Sequence, residues 1–196
     1  PETVASREIT AGRLARVQAL LGRDDDAVET LSGTRFHVWE GESGIHSVYV
    51  AARLERGRRL LARGAAAAAL EEFRATADVP ANIEVGQGTG AHRAAVSHHV
   101  GLALERLGRK EEATAAFRES AGVPAVVPEG HYWIGRSLEK LGRKTEARRH
   151  FERLSATKPR GLDPDRPLEV RMEAREGRSA DLYVKSLGLL GLGRAR

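Results

Sequence analysis

The 196-residue sequence contains no cysteine, a single methionine, and aromatic residues at only 5% of positions. Without cysteine there is no disulfide, no thiolate metal site and no cysteine nucleophile, and the composition is silent about redox compartment. With so few aromatics the core must be built mainly from Ala, Leu and Val, which suits closely packed helices; the alanine run at 65–69 points the same way. No stretch approaches the ~18–20 uninterrupted apolar residues of a membrane-spanning helix. The opening "PETVASREIT" lacks the apolar core of a secretory signal, so the cytoplasm is the expected compartment. It also lacks an initiator methionine, the expectation being processing or a segment of a longer chain. The net charge is +5, from 32 Lys and Arg against 27 Asp and Glu, yet basic and acidic residues alternate, as in "RKEEATAAFRE". A nucleic-acid surface calls for a single-sign stripe with stacking aromatics, so nucleic acid is not an expected partner.

What the sequence does have is a repeat. "GLALERLGRKEEATAAF" (101–117) returns 34 positions later as "GRSLEKLGRKTEARRHF" (135–151). Gly101 corresponds to Gly135, Leu104 to Leu138, Leu107-Gly108-Arg109 to Leu141-Gly142-Arg143, Ala113 to Ala147, and Phe117 to Phe151. Apolar residues fall at helical spacing on both sides of the Leu-Gly-Arg break, predicting two helices reversed at the glycine. The small residue at Gly101 or Gly135 allows close approach, and the alanine followed four positions later by Phe seals the second helix onto the first.

This period, with its Leu-Gly turn, Ala-x-x-x-Phe stripe and trailing Pro159, resembles the tetratricopeptide repeat. Weaker copies align Gly57, Gly64, Ala69 and Phe73, then Ala15, Gly22, Ala27 and Leu31, and lastly Ser186 and Gly193, with the same slots. The resemblance implies an all-α solenoid of antiparallel helix pairs in a single 1–196 array, with approximate units 4–33, 46–78, 92–121, 129–158 and an incomplete 169–196. Turn glycines are separated by 42, 44, 34 and 51 residues. The surplus falls in three Gly- and Pro-punctuated segments that read as long inter-repeat loops: "SGTRFHVWEGESGIH", "DVPANIEVGQGTGAH" and "KPRGLDPDRPLEV". A second resemblance rests on Trp39-Glu40-Gly41 and on Asn82 with Gly86. These look like loops in the C-terminal repeats of a bacterial family of unknown function that carries an upstream β-rich domain similar to carbohydrate-active enzymes. It implies an accessory helical tail that packs on, or rims, the active site of that domain.

The densest polar and aromatic cluster is "FHVWEGESGIH", with Phe36, His37, Trp39, Glu40 and His46. Three readings stand: Phe36 and Trp39 plug a gap between helix pairs; His37, Trp39, Glu40 and His46 form a docking loop anchored by Trp39; or Glu40 acts as acid or base beside His37 or His46. Packing is favoured over docking, and docking over catalysis. Histidines at 92, 98, 99, 131 and 150 raise the question of metal. His98 and His99 project about 100° apart on a helix, and no third ligand stands at chelating spacing, so no metal and no cofactor are expected. "EVGQGTGAH" lacks the strand–turn–helix context of a phosphate loop. No catalytic set has a recognisable surrounding, and the chain is not expected to be an enzyme. The tetratricopeptide resemblance places groove-lining slots at Arg58, His98, Leu102, Glu105, Arg106, Tyr132, Arg136, Glu139, Lys140 and Tyr183. That mixture implies a polar protein or peptide partner, or an upstream domain of the same chain. Chaperone-binding members clamp a carboxylate with an Asn, whose slots here hold Leu102 and Arg136.

Overall fold

In a computed structural model the backbone is described for residues 2–37, 44–78, 80–83, 90–161 and 168–194, without the side chains of 2–6 and 168–171. Among the described residues there are nine helices and no strand: α1 (Glu2–Leu20), α2 (Asp24–Ser32), α3 (Ile45–Ala62), α4 (Ala66–Ala75), α5 (Arg93–Arg106), α6 (Lys110–Gly122), α7 (Gly130–Lys140), α8 (Lys144–Ser155) and α9 (Leu168–Gly191). The fold is all-α, as the repeat predicted. The chain divides into two compact units, Pro1–Ala116 and Phe117–Arg196.

The helices reverse or end at the glycines of the repeat, each preceded by Leu except Gly64, which follows Arg63. Gly22, Gly64, Gly108, Gly142 and Gly193 all have positive φ, between 66° and 82°. At Gly142 the hydrogen bonds show why. Its amide donates to Glu139 O (3.0 Å) and the Arg143 amide donates to Leu138 O (2.8 Å). This satisfies the last carbonyls of α7, and the left-handed conformation it demands carries a Cβ penalty for any other residue. The residue after the turn then reaches forward to an acid one turn on: Arg109 Nε to Glu112 Oε1 and Arg143 Nε to Glu146 Oε1, both at 2.7 Å. Arg23 and Asp26 repeat the pairing at 2.5 Å. These exposed pairs add little stability, but they set acid over the positive end of α2, α6 and α8.

In the first unit α1 packs on α2, α2 on α3, α3 on α4 and α4 on α5, while α1 touches α3 and α3 touches α5. First helices therefore neighbour each other as well as their own partners, which is how stacked helix pairs share burial. Phe73 is fully buried against Gly57, where an added Cβ would collide with the ring. Charge ties the turns down. Arg59 Nη1 donates to Gly22 O (2.7 Å) and to Asp24, which is 2% exposed. Burial pushes the Asp24 carboxyl up, with the Arg59 guanidinium opposing. Arg53 donates to Glu72 (2.9 Å) and to the Tyr49 hydroxyl (3.1 Å).

The second unit packs α7 on α8, α8 on α9 and α7 on α9. Its centre is Phe151, 1% exposed, which meets Gly135 of α7 and Gly191 of α9, both too close to the ring to accept a side chain. Gly188 likewise brings α9 onto the backbone of Phe151 and Ser155. Beside this contact the buried Ser137 Oγ donates to Ser120 Oγ at 2.8 Å.

Candidate functional site

The predicted groove positions lie on first helices. On α5, His98, Leu102, Glu105 and Arg106 recur at spacings of four, seven and eight residues, which sets them on one flank. Glu105 and Arg106 are exposed, Leu102 is half-buried, and His98 is 4% exposed with its ring edge-on to His99 at 5.5 Å. Arg58 of α3 is exposed and donates to Glu55 at 2.5 Å.

The sequence drew attention to His98 and His99 together, and the structure separates their chemistry. His99 Nδ1–H donates to Ala95 O (2.7 Å), and its ring packs at 5.5 Å from that of Phe73. Burial lowers its pKa to about 4, an effect that Arg58 deepens while the Ala95 carbonyl and Glu55 oppose it. Such an imidazole stays neutral and serves packing.

In the second unit Tyr132, Arg136, Glu139 and Lys140 share one flank of α7 by the same spacing. Tyr132 is 8% exposed, its ring 6.0 Å from Phe151 and 4.9 Å from Trp133, so most of its surface is spent on the core. Arg136 pairs with Glu139 at 3.1 Å. Lys140 Nζ sits 5.8 Å from the centre of the Phe117 ring, a cation–π distance. Tyr183 of α9 is 55% exposed. Glu139 also borders a shallow depression of about 280 Å³ that Lys144, Arg148, Phe151, Gly191 and Leu192 complete. The flank of α7 thus offers Arg136, Glu139 and Lys140 to solvent around an aromatic base.

Of the docking-loop residues, Trp39 and Glu40 lie outside the described residues. His37 and His46 lie within them, both half-buried. The sequence does not reveal what holds His37. Glu8 of α1, 5% exposed, accepts from the His37 amide (3.1 Å) and from His37 Nδ1 (2.6 Å). That double contact ties α1 to the segment after α2 and sets the ring with Nδ1 as donor. Phe36, 2% exposed, plugs the first unit, as the packing reading holds for it. Its amide donates to Asn82 O (2.7 Å), and a lone parallel bridge joins Phe36 to Ile83. The Asn82 side chain donates to Leu31 O and Thr34 O at 2.7 and 2.6 Å. Asn82 therefore latches the base of the loop to α2, a structural task that leaves its amide no donor for a ligand; Gly86 lies outside the described residues.

Among the described residues no three His, Asp or Glu side chains converge as metal ligands, and no helix is long and apolar enough to cross a membrane. One juxtaposition escaped the sequence reading. His131 and His150, 19 positions apart on different helices, meet with Nδ1 atoms 2.9 Å apart. A spacing of 19 has no helical meaning, so only the antiparallel packing of α7 on α8 reveals it.

No curated protein and no solved structure matches the chain. Residues 129–157 match the model of the tetratricopeptide repeat family. That span covers α7, its glycine turn and α8, so this helix pair is similar to a tetratricopeptide repeat.

Proposed function

We propose that the chain is a protein-interaction module that holds a polar segment of a partner protein against the flanks of its first helices. Tetratricopeptide repeats generally serve protein–protein contact. The observation that carries the reading is the flank of α7, where Arg136, Glu139 and Lys140 stand exposed or half-exposed over the buried Tyr132 and Phe151. Solvent-facing charged side chains set over a buried aromatic base are suited to recognising charge and hydrogen bonding without refolding. On α5, Glu105 and Arg106 over the buried His98 repeat the arrangement. Tyr132 supports the flank of α7 from beneath and His98 that of α5, and Arg58 of α3 and Tyr183 of α9 are each exposed on their own unit.

A photo-crosslinker at Arg136 tests this, with a control at Arg149 on α8. Capture of one protein species from the source cells at 136 and not at 149 is the expected result, and Lys140→Glu in the chain that carries the crosslinker abolishes it with the helical circular dichroism unchanged. Equal capture from both positions would remove the assignment.

A second reading, an accessory tail of a larger carbohydrate-active enzyme, draws support from Asn82, whose latch fixes the base of the segment bearing Trp39 and Glu40. It predicts an upstream β-domain in the same reading frame. With that domain present, Trp39→Ala lowers its activity; a start codon immediately before Pro1 ends the idea.

A further inference from the structure

His131 lies in the first turn of α7 and His150 in the second half of α8. Their ring centres are 5.0 Å apart with planes inclined by 53°, and the two Nδ1 atoms approach to 2.9 Å. At that distance two neutral imidazoles share one hydrogen, with one Nδ1–H donating and the other Nδ1 accepting. Both rings are half-buried. Burial lowers the pKa of each, and Arg153 lowers both further; the neighbouring ring lowers His131, and Glu146 opposes the shift at His150. Among the described residues no partner occupies either Nε2.

The gap matches a particular ligand geometry. A divalent first-row ion sits about 2.0–2.1 Å from each imidazole nitrogen, so two nitrogens bound at right angles stand roughly 2.9 Å apart, and a tetrahedral pair about 3.4 Å apart. The observed separation fits the right-angled pair that square-planar and tetragonal ions prefer, which are Cu(II) and Ni(II). Zinc structural sites instead close with four protein ligands, and no third ligand converges here among the described residues.

We propose that His131 and His150 form a two-imidazole site for a divalent transition ion of this type, Cu(II) above all, with water in the remaining positions. The ion displaces the shared hydrogen and sits to one side of the line between the two nitrogens, towards which both rings turn their Nδ1 lone pairs. The ring that donated from Nδ1 moves its proton to Nε2 through solvent, the other ring already carries hydrogen at Nε2, and two waters leave the ion, so charge and protons balance. Arg153 works against any cation here, Glu146 works for it, and the advantage over a single surface histidine comes from the two nitrogens being fixed side by side. This departs from the sequence reading, which assigned no metal, because it depends on a contact between two helices.

Cu(II) capped by iminodiacetate is the probe, since the cap leaves few positions and rewards two adjacent nitrogens. Titration of the full chain, followed by the visible band and by thermal melting, is expected to give a single 1:1 site that raises Tm. His131→Gln and His150→Gln should each weaken it about tenfold or more, and the double variant no further, as expected for one chelate. Equal binding by wild type and variants would overturn the proposal, because the copper would then sit on other histidines. Electron paramagnetic resonance of the wild type with ¹⁵N-histidine decides independently of how the variants fold: two equivalent nitrogen couplings support the pair, and one nitrogen refutes it.

Discussion

The first unit carries 15 Lys and Arg against 16 Asp and Glu, the second 17 against 11, so net charges of −1 and +6 stand behind the chain's +5. Their internal bonding differs accordingly. In the first unit ion pairs reach across elements, from α3 to the α1–α2 turn through Arg59 and Asp24, and from α3 to α4 through Arg53 and Glu72. In the second, the α7, α8 and α9 contacts rest on glycines set against Phe151. The ion pairs of α7 and α8 are local, within three or four residues, while Arg160 beyond α8 reaches Asp181 of α9 at 2.9 Å. The second unit holds the longest spacing between turn glycines, 51 residues, so loop length does not explain the contrast. In the first unit Glu8 and Asn82 add hydrogen bonds to partners 29 and 51 residues away. The second unit is also where the family model matches.

Four experiments sharpen or break this comparison. Phe151→Ala should have the largest effect, about 3–5 kcal/mol, because it empties the contact shared by α7, α8 and α9. Hydrogen exchange across 130–191 reads it, and protection there equal to wild type would mean that Phe151 is not the centre of the unit. Acid should weaken the first unit next. The unfolded chain takes up the His99 proton near pH 6.5 and the folded chain only near about 4. Stability is therefore complete above pH 6.5 and falls as the pH drops, by about 2 kcal/mol at pH 5. Urea melts at pH 7 and 5 measure this, and His99→Gln should flatten the difference; an unchanged slope would place the imidazole in water. Asp24→Ala leaves Arg59 without its carboxylate and should cost about 1–3 kcal/mol, reduced from a fully buried pair because Arg59 is 36% exposed. Its counterpart in the second unit, Glu146→Ala, breaks only a solvent-facing pair and should leave Tm where it was. If the two acidic variants melt alike, the proposed difference in bonding fails.

The helix pairs were legible because each depends on residues within one turn of each other. Leu141-Gly142-Arg143 specifies its own reversal, since the carbonyls it satisfies belong to the helix just ended. Gly135 and Phe151, 16 apart, were legible through the repeat, which wrote the same pairing at Gly57 and Phe73. Glu8 with His37, and Asn82 with Leu31 and Thr34, were not, for their partners lie 29, 51 and 48 residues away and recur nowhere else. Among the candidate site residues the flanks of α5 and α7 were implied by the tetratricopeptide resemblance. It did not show that His98 and Tyr132 face inward, because burial depends on the neighbouring helix.

By itself, then, the sequence determined the helices, their turns and the register of small against aromatic residues, all consequences of short-range sterics and hydrogen bonding. Tertiary packing alone decided which polar groups meet: Glu8 and His37, Arg59 and Asp24, His131 and His150. The reason is physical. An imidazole or carboxylate bonds any suitable partner within about 3 Å, and only the approach of distant backbone selects which one comes within reach.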